Sequence, residues 1–433
     1  MADLIDELQW RGLVAQTTGV EELRRALDSA TVTYYCGFDP TAPSLHHGHL
    51  VQLILMRHLQ RAGHRPIALV GGATGLIGDP RMSGERTLNP KELVAEWTDR
   101  LRRQIEPFLD FEGPNAAILV NNLDWTAELT AIDLLRDIGK HFRLGAMLAK
   151  DTVARRLASD EGISYTEFSY SLLQANDFRE LSRRYGCALQ TGGNDQWGNL
   201  IAGVDLIRKS DGRAVHVLTT PLITKSDGTK FGKSEGGAVW LAPDMLSPYD
   251  FYQFWLNTED ADVVRYLRVF TFLSREEIAE LEHETAERPA ARGAQRRLAR
   301  EVTTLVHGLN TAADVERASR ALFGREDLHS LPERVLADAV SHLPSGAVVI
   351  GRTTMVDLLL ATGLEAGRSA ARRTIASGGA YLNNVKIADE DALLEAADVL
   401  PGGIVLVRKG RRTLAVARVA AEPHDDVPHR TDL

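Results

Sequence analysis

The sequence predicts an α/β protein: a first domain built on a parallel sheet, then an all-α region, then a small α+β module. Three observations predict it. Short β-branched or apolar runs alternate with long helical stretches through the first part of the chain. From Ser247 onward the strand signals stop. Beyond Thr353, two short helical patterns are followed by two strand-like runs.

The first strand signal is "TVTYYC", Thr31 to Cys36, β-branched and aromatic. A turn follows at Asp39-Pro40 and Pro43, and a helical pattern runs from about Leu45 to Ala62. "RPIALVGGATG" holds a buried-type strand, Ile67 to Val70, that ends in glycines. Pro90 to Leu109 reads as a helix, and "AAILVNN", Ala116 to Asn122, as another strand. This alternation implies parallel pairing, with ligands at the strands' carboxyl ends. "SPYDFYQFWLNTEDADVVRYLRVFTFLSREEIAEL" and "ARGAQRRLAREVTTLVHGL" read as helices, and the helical region extends to about Phe323. A looser connector with Pro332, Pro344 and Gly346 leads to the terminal unit. There "MVDLLLATGL" and "GRSAARRTIASGG" read as helices, "AYLNNVKI" and "GGIVLVRKG" as strands. The expected divisions are 1–225, a sheet domain; 226–330, a glycine-rich loop and helical region; 331–352, a linker; 353–419, the terminal module; and 420–433, a flexible tail.

The totals bound the function. At 433 residues the chain calls for two or three cores, and 44% hydrophobic with 25% charged residues is a globular composition. The N-terminus is acidic and amphipathic, without the pattern of a signal peptide. No apolar run reaches membrane-spanning length. Two cysteines, Cys36 and Cys187, give no disulfide framework and no cysteine-rich zinc site, so a reducing, cytoplasmic setting is expected. The net charge of −9 argues against a protein that coats nucleic acid. Arg352 to Val419, however, holds ten Lys/Arg against seven Asp/Glu, a local net of +3. A basic patch on an acidic chain fits a focused contact with an anionic partner, although charge alone favours an ordinary solvated surface.

"YCGFDPTAPSLHHGHL", Tyr35 to Leu50, places His46, His47, Gly48 and His49 at the mouth of the first helix. No cysteine or carboxylate stands at ligand spacing, so zinc is disfavoured. A solvated helix start is the ordinary alternative. An anion site is the third: a helix N-terminus offers N–H groups and a positive dipole end, histidines donate to phosphate, and Gly48 admits a flat purine. That reading needs a second cationic element. "KFGKSEGGAVWL" supplies Lys230 and Lys233 in a loop with Gly228, Gly232, Gly236 and Gly237, suited to charge developing on a leaving pyrophosphate.

The pair resembles the HIGH and KMSKS signatures of class I aminoacyl-tRNA synthetases. "YCGFDPTAPSLHHGH", "GGATGLIGDP", "YTEFSYSLLQANDF", "GGNDQWGN", "KFGKSEGGAVWL" and "SPYDFYQFWLNTEDADVVRYL" are similar, in this order, to the bacterial tyrosyl-tRNA synthetases. The terminal unit resembles their small RNA-binding module, of a type shared with a ribosomal small-subunit protein. The resemblance implies a Rossmann-like catalytic domain and a two-step reaction. Tyrosine and ATP, with Mg2+, give tyrosyl-adenylate and pyrophosphate; the tyrosyl group then passes to the 3′ end of tRNA(Tyr). It implies that Thr41, His46, His49, Lys230 and Lys233 serve the phosphates. Cys36, Asp39, Gly48, Gly193, Asp195 and Ser234 complete the ATP site. Tyr35 and Asp177 meet the substrate phenol, and Asp79, Tyr170, Gln174 and Gln196 surround its ammonium. Read without the family, Tyr170 and Gln174 are one helix face, i and i+4, and structural. Arg86, Arg368, Arg372, Arg373, Arg408, Lys409, Arg411 and Arg412 are the tRNA candidates. Arg292, Arg296 and Arg300, on what reads as an earlier helix, extend that track or form a solvated face. A homodimer joined near Trp125 to Leu157 is implied, with no tightly bound cofactor, no protein-held metal and no membrane.

Two departures stand out. His47 occupies a position where an aliphatic residue is usual. The loop "PRMSGERTL" after Asp79 lacks the family's lysine, leaving Arg81 or Arg86 to supply that charge. A dinucleotide enzyme built on "GGATGLIG" fails on glycine spacing, because Ala73 and Thr74 stand where glycines are needed. A tryptophan-specific relative is disfavoured by Tyr35 with Asp177, and a non-catalytic RNA-binding descendant by intact His46, His49, Lys230 and Lys233.

Overall fold

The computed structural model describes residues 3–81, 84, 87–229, 231–234, 237–324, 326–410 and 413–420. The chain divides into two compact units, Met1–Leu246 with Phe254–Val302, and Ser247–Gln253 with Thr303–Leu433.

The first unit is built on a six-stranded sheet. Its strands are β1 (Gln16–Thr17), β2 (Thr33–Phe38), β3 (Arg65–Val70), β4 (Ile118–Asn121), β5 (Leu189–Gly193) and β6 (His216–Thr220). Their spatial order is β1-β6-β5-β2-β3-β4, and every pair is parallel except β1 with β6. Tyr34, Tyr35, Cys36 and Phe38 of β2 and all of Pro66 to Val70 in β3 are buried. That is why these strands read as unbroken apolar runs: parallel strands are covered on both faces. Chain order moves outward from β2 through β3 to β4, then returns to β2's other side with β5. The sheet therefore reverses direction between β2 and β5, and a crevice opens at such a point beyond the strands' carboxyl ends.

The helix after β2 spans His47–Arg61 and buries Leu50, Val51, Leu53, Ile54, Leu55, Met56 and Leu59. A second helix, Tyr165–Tyr185, starts at Ser164, whose hydroxyl accepts from the Glu167 N–H, and stops at left-handed Gly186. A third, Trp197–Asp211, follows β5. A short hairpin, β7 (Lys233–Ser234) with β8 (Gly237–Ala238), follows β6. From Pro248 to Val340 every described element is helical.

In the second unit a five-stranded sheet has the order β11-β10-β12-β13-β9. Its strands are β9 (Ser345–Val348), β10 (Ala380–Leu382), β11 (Val385–Lys386), β12 (Ile404–Lys409) and β13 (Thr413–Val419). Helices Met355–Ala361 and Arg368–Ala376 close one core with it around Leu358, Leu359, Ile375, Val405 and Val407. The stretch 331–352, expected as a connector, contains helix Glu333–Val340 and strand β9, which pairs in parallel with β13. Arg292 has a left-handed backbone, φ 51°, and precedes helix Gly293–His307, so it is not part of the arginine-bearing helix face expected of it. Most of the tail expected at 420–433 lies outside the described residues.

Candidate active site

A cavity of about 820 Å³ opens beyond the carboxyl ends of β2 and β5, where the sheet reverses. Fourteen of the expected residues line it: Tyr35, Cys36, Asp39, Thr41, His46, Gly48, His49, Asp79, Tyr170, Gln174, Asp177, Gly193, Asp195 and Gln196. Residues up to 161 positions apart in sequence, Tyr35 to Gln196, converge because β2, β5 and two helix starts share one end of the sheet. Lys230 lies outside the described residues; Lys233 and Ser234 form β7, described as backbone. Gly228 and Phe231, from the same loop, line the cavity.

One end of the cavity is built for a phenol. The Tyr35 side chain is buried, its ring centroid is 5.3 Å from that of Phe178, and its hydroxyl has no hydrogen-bond partner among the described residues. A buried hydroxyl without a partner costs about 1–3 kcal/mol, so a ligand group is the natural complement. Asp177 is also buried. Its two carboxylate oxygens accept from the Trp125 indole N–H at 2.8 Å and the Asn122 amide at 3.0 Å. Burial nevertheless pushes the Asp177 carboxyl up to about 7, against the pull of those two donors. A carboxylate with two N–H bonds retains lone pairs to accept from a phenol.

Asn122 and Trp125 were not among the expected site residues. The signal was faint: Asn122 is the polar residue just after an apolar strand, at the carboxyl end where ligands gather. Asn122 also donates to Thr74 Oγ1 at 3.0 Å and accepts from the Ala73 N–H at 2.7 Å, locking its amide orientation.

Around the middle of the cavity the carboxylates are already engaged. Tyr170 donates to Asp39 Oδ2 at 2.7 Å, and Thr74 donates to Asp39 Oδ1 at 2.6 Å. Asp39 thus fixes the Tyr170 phenol. Asp79 accepts from Gln196 at 2.9 Å and Asn199 at 3.1 Å; Lys150 donates to Asn199 Oδ1 at 3.1 Å. Burial lowers the Lys150 pKa, and Asp79 opposes that shift. The Gln174 side-chain oxygen is buried and has no partner among the described residues. Asp79, Gln174 and Tyr170 therefore present oxygen acceptors in one region, the chemistry an ammonium requires. The loop after Asp79 is held by Arg156, which donates to the Gly84 carbonyl at 2.8 Å and pairs with Glu167 at 2.9 Å. Arg86 lies outside the described residues.

At the histidine stretch the structure differs from the sequence reading. Free N–H groups were expected at the helix start, but these are taken within the chain. The His46 ring accepts from the Gly48 N–H at 3.0 Å, and the His49 ring accepts from the His46 N–H at 3.1 Å. The His47 N–H donates to the Val239 carbonyl at 2.9 Å. Both rings accept through Nδ1, so each neutral ring carries its proton on Nε2. The rings stack at 4.0 Å between centroids. The donors this helix start can offer are thus two imidazole Nε2–H groups rather than backbone amides. Gly48 also has a local reason: a Cβ there would fall 2.9 Å from His46 Cε1, blocking the cap.

Burial lowers all three histidines, His47 to about 4 and His49 well below its ordinary range. His58 is lowered to about 3 and His307 to about 4 by the same cause. Below their ordinary value of 6.5 such groups are protonated in the unfolded chain but not in the fold, so the unfolded state takes up more protons. The melting temperature is expected to fall as pH drops from about 6.5 toward 4. Asp177, raised rather than lowered, works the other way, but it is one group against several. Thermal melts at fixed ionic strength check this; a melting temperature that holds or rises across that window contradicts the burial of these rings.

In the second unit the tRNA candidates are largely paired. Arg368 bridges Asp357 at 3.0 Å, Arg372 bridges Glu390 at 3.2 Å and Lys409 bridges Glu365 at 3.0 Å. The Arg408 guanidinium lies 3.9 Å from the Tyr381 ring centroid, and Arg373 is exposed. Arg411 and Arg412 lie outside the described residues.

A parallel sheet reversing over a crevice, a pair of stacked histidines at the start of the helix after β2 and a hairpin containing Lys233 define a class I aminoacyl-tRNA synthetase. Residues 28–324 match the family model described as tRNA synthetases class I (W and Y), and residues 336–417 match the model described as the tyrosine–tRNA ligase SYY-like C-terminal domain. A tyrosine–tRNA ligase from Streptomyces griseus is 61% identical over 420 residues, covering 97% of this chain and 99% of that protein. One from Mycobacterium tuberculosis is 57% identical over 415 residues, covering 95% and 98%. Among solved structures, a C-terminally truncated mitochondrial tyrosyl-tRNA synthetase of Aspergillus nidulans superposes with a TM-score of 0.68 at 32% identity, covering 75% of this chain and 95% of that one. The chain belongs to the tyrosyl-tRNA synthetase family.

Proposed function

We propose that the chain activates L-tyrosine with ATP to tyrosyl-adenylate and pyrophosphate, then transfers the tyrosyl group to the 3′ end of tRNA(Tyr). The observation that carries the reading is the buried, unpartnered Tyr35 hydroxyl beside Asp177 in a cavity that also holds His46 and His49. ATP–pyrophosphate exchange tests it: tyrosine should support exchange, and tryptophan and phenylalanine should not. Exchange dependent on tryptophan instead would favour the other branch of the family.

In this reading the tyrosine carboxylate attacks the α-phosphate and the α–β bond breaks, so no protein nucleophile is needed. Catalysis is positioning plus stabilisation of charge on the leaving pyrophosphate. Tyr35 and Asp177 bind the phenol; Asp79, Tyr170, Gln174 and Gln196 hold the ammonium. The Nε2–H groups of His46 and His49, with Thr41, meet the phosphates, and Lys230 and Lys233 close over the pyrophosphate. Cys36, Asp39, Gly48, Gly193, Asp195 and Ser234 shape the nucleotide side. Asp39, already bonded to Tyr170 and Thr74, acts there chiefly by orienting Tyr170. Among the described residues no three His, Cys, Asp or Glu side chains form a metal cage. Mg2+, a hard cation that favours phosphate oxygens, would enter with the phosphates of ATP and help neutralise them.

The terminal module, with Arg373 and Arg408 exposed or half-buried on it, is the tRNA-binding element, together with Arg368, Arg372, Lys409, Arg411, Arg412 and, in the first unit, Arg86. Its ion pairs mean that phosphates must compete for three of those side chains. A chain ending near Pro344 removes the whole five-stranded sheet, β9 included. It is expected to form tyrosyl-adenylate at close to the full rate and to charge tRNA poorly at sub-saturating tRNA. Rising salt should weaken tRNA binding by the intact protein far more than tyrosine binding, because phosphate contacts release counterions. Equal charging by the short and full chains would remove the module from RNA binding.

The stretch from 123 to 165 exposes Ile132, Leu135, Leu144, Leu148, Leu157 and Tyr165. Apolar side chains gathered in one segment fit the face of a homodimer. Sedimentation should give a dimer, and Leu144→Asp with Leu148→Asp should give a monomer. A wild-type monomer at micromolar concentration would refute it. No helix among the described residues is long and apolar enough to cross a membrane, and Cys36 and Cys187 are buried and free.

A further inference from the structure

We infer that His47 is a positioning residue: it latches the lysine-bearing loop onto the nucleotide crevice by packing its ring against Phe231 and into the space that Gly232 leaves open. The His47 and Phe231 rings meet edge-on, 5.3 Å between centroids at 87°. At Gly232, whose φ is +81°, an added Cβ would fall 1.9 Å from His47 Cε1. The imidazole therefore occupies the volume that any other residue at 232 would need. Phe231 is itself gripped on its far side, with ring centroids 4.5 Å from Tyr266, 5.3 Å from Phe254 and 5.5 Å from Trp255.

The other end of the loop returns to the same histidine stretch. His46 and Trp240 form an antiparallel bridge, and the Leu241 N–H donates to the Leu45 carbonyl at 2.9 Å. The segment carrying β7 and β8 is thus tied at both ends to residues 45–47. On the return side the tie is backbone hydrogen bonding, which is indifferent to side chains. On the Phe231 side it is the His47 ring. An aliphatic residue could fill space there but would not present a polar ring edge to an aromatic face; such edge-to-face contacts contribute about 0.5–1.5 kcal/mol. Lys230 immediately precedes Phe231 and Lys233 follows it by two in the sequence, so the contact fixes the backbone between them.

This inference rests on the reading of the lysines as phosphate ligands, and its test separates the two. His47→Ala, examined as the full-length protein, should raise the KM for ATP in pyrophosphate exchange about tenfold, as expected for losing one aromatic contact and its packing. The KM for tyrosine should stay within about twofold of wild type, within the scatter of independent sites. Tryptic cleavage after Lys230 and Lys233 should be faster in His47→Ala than in wild type at equal thermal stability. That readout does not depend on what the lysines do. Gly232→Ala carries the strain of a left-handed backbone in either background, but its collision with the ring is present only in the wild type, so its effect should be smaller on top of His47→Ala than alone. Unchanged cleavage, or strictly additive effects of the two substitutions, would overturn the latch. Faster cleavage with an unchanged KM for ATP would keep the latch and refute the phosphate role of the lysines.

Discussion

Lys233→Ala is expected to slow tyrosyl-adenylate formation by about 10²–10³-fold, the usual consequence of removing one preorganised group that meets transition-state charge. Tyrosine affinity should hardly change, because the phenol end of the cavity, Tyr35 and Asp177, is at the opposite side of the substrate from the phosphates. The companion experiment on the histidines needs more care than the sequence suggests. His46 and His49 each accept a backbone N–H through Nδ1, so His46→Ala with His49→Ala removes a helix cap as well as two donors. Cap loss alone costs about 0.5–2 kcal/mol of stability. His46→Asn separates the effects: asparagine is a good cap, with an oxygen for the Gly48 N–H, but it does not place a donor where Nε2–H lies. If the donor matters, His46→Asn keeps the melting temperature and loses adenylate formation nearly as far as His46→Ala does. Stopped-flow measurement of adenylate formation at saturating tyrosine reads all four variants. Near-normal rates in Lys233→Ala and in the histidine variants would remove this end of the cavity from the chemistry.

How much of this was visible in the sequence follows from what each element must bury. Strands β2, β3 and β4 were legible because their interior positions are apolar on both faces. Strand β5, "LQTGG", and β6, "HVLTT", carry polar residues and glycine into the cavity wall, so no apolar run marks them. Strand β9, "SGAV", is an edge strand of four residues whose only apolar anchor is Val348. "AYLNNVKI", expected as strand, is divided in the structure into β10 and β11 by a turn at Asn383 and Asn384, φ 48° and 69°, the left-handed pair that hairpins favour. For the site, the family resemblance brought Tyr35, Asp177 and Gln196 together where spacing could not. What it left out was support: Asn122 and Trp125 gain meaning only once helix Tyr165–Tyr185 carries Asp177 up to the end of β4. The histidine cap was hidden for a related reason. Whether a histidine at a helix start offers its donor to a ligand or its acceptor to the chain depends on ring rotation, which sequence does not encode.

The wild-type protein is expected to prefer tyrosine over phenylalanine by about 10⁴–10⁵-fold in kcat/KM for activation, a magnitude taken from tyrosyl-tRNA synthetases already measured rather than obtained from this geometry. The geometry shows how the two residues at the phenol end contribute to such a ratio in different ways. Phenylalanine fills the same space but leaves the Tyr35 hydroxyl without a partner, buried against Phe178. Asp177 is affected differently. Its carboxylate keeps the Trp125 and Asn122 N–H bonds whether or not a phenol arrives, so it is not left bare. With its pKa pushed up to about 7, it sits between the charged and neutral forms near neutral pH, and a phenol donor favours the charged one. Tyr35→Phe removes the orphaned hydroxyl itself. It should therefore weaken tyrosine activation modestly while improving phenylalanine, lowering the discrimination by about tenfold, the worth of one buried hydrogen bond. Asp177→Ala should be far more damaging, because the Asn122 and Trp125 donors would be stranded and the floor of the pocket would lose its shape. Tyrosine and phenylalanine exchange rates in the wild type and both variants decide the matter. If the wild type activates both amino acids equally, or if Tyr35→Phe leaves the ratio untouched, the phenol is bound elsewhere in the cavity and Tyr35 is merely a core residue.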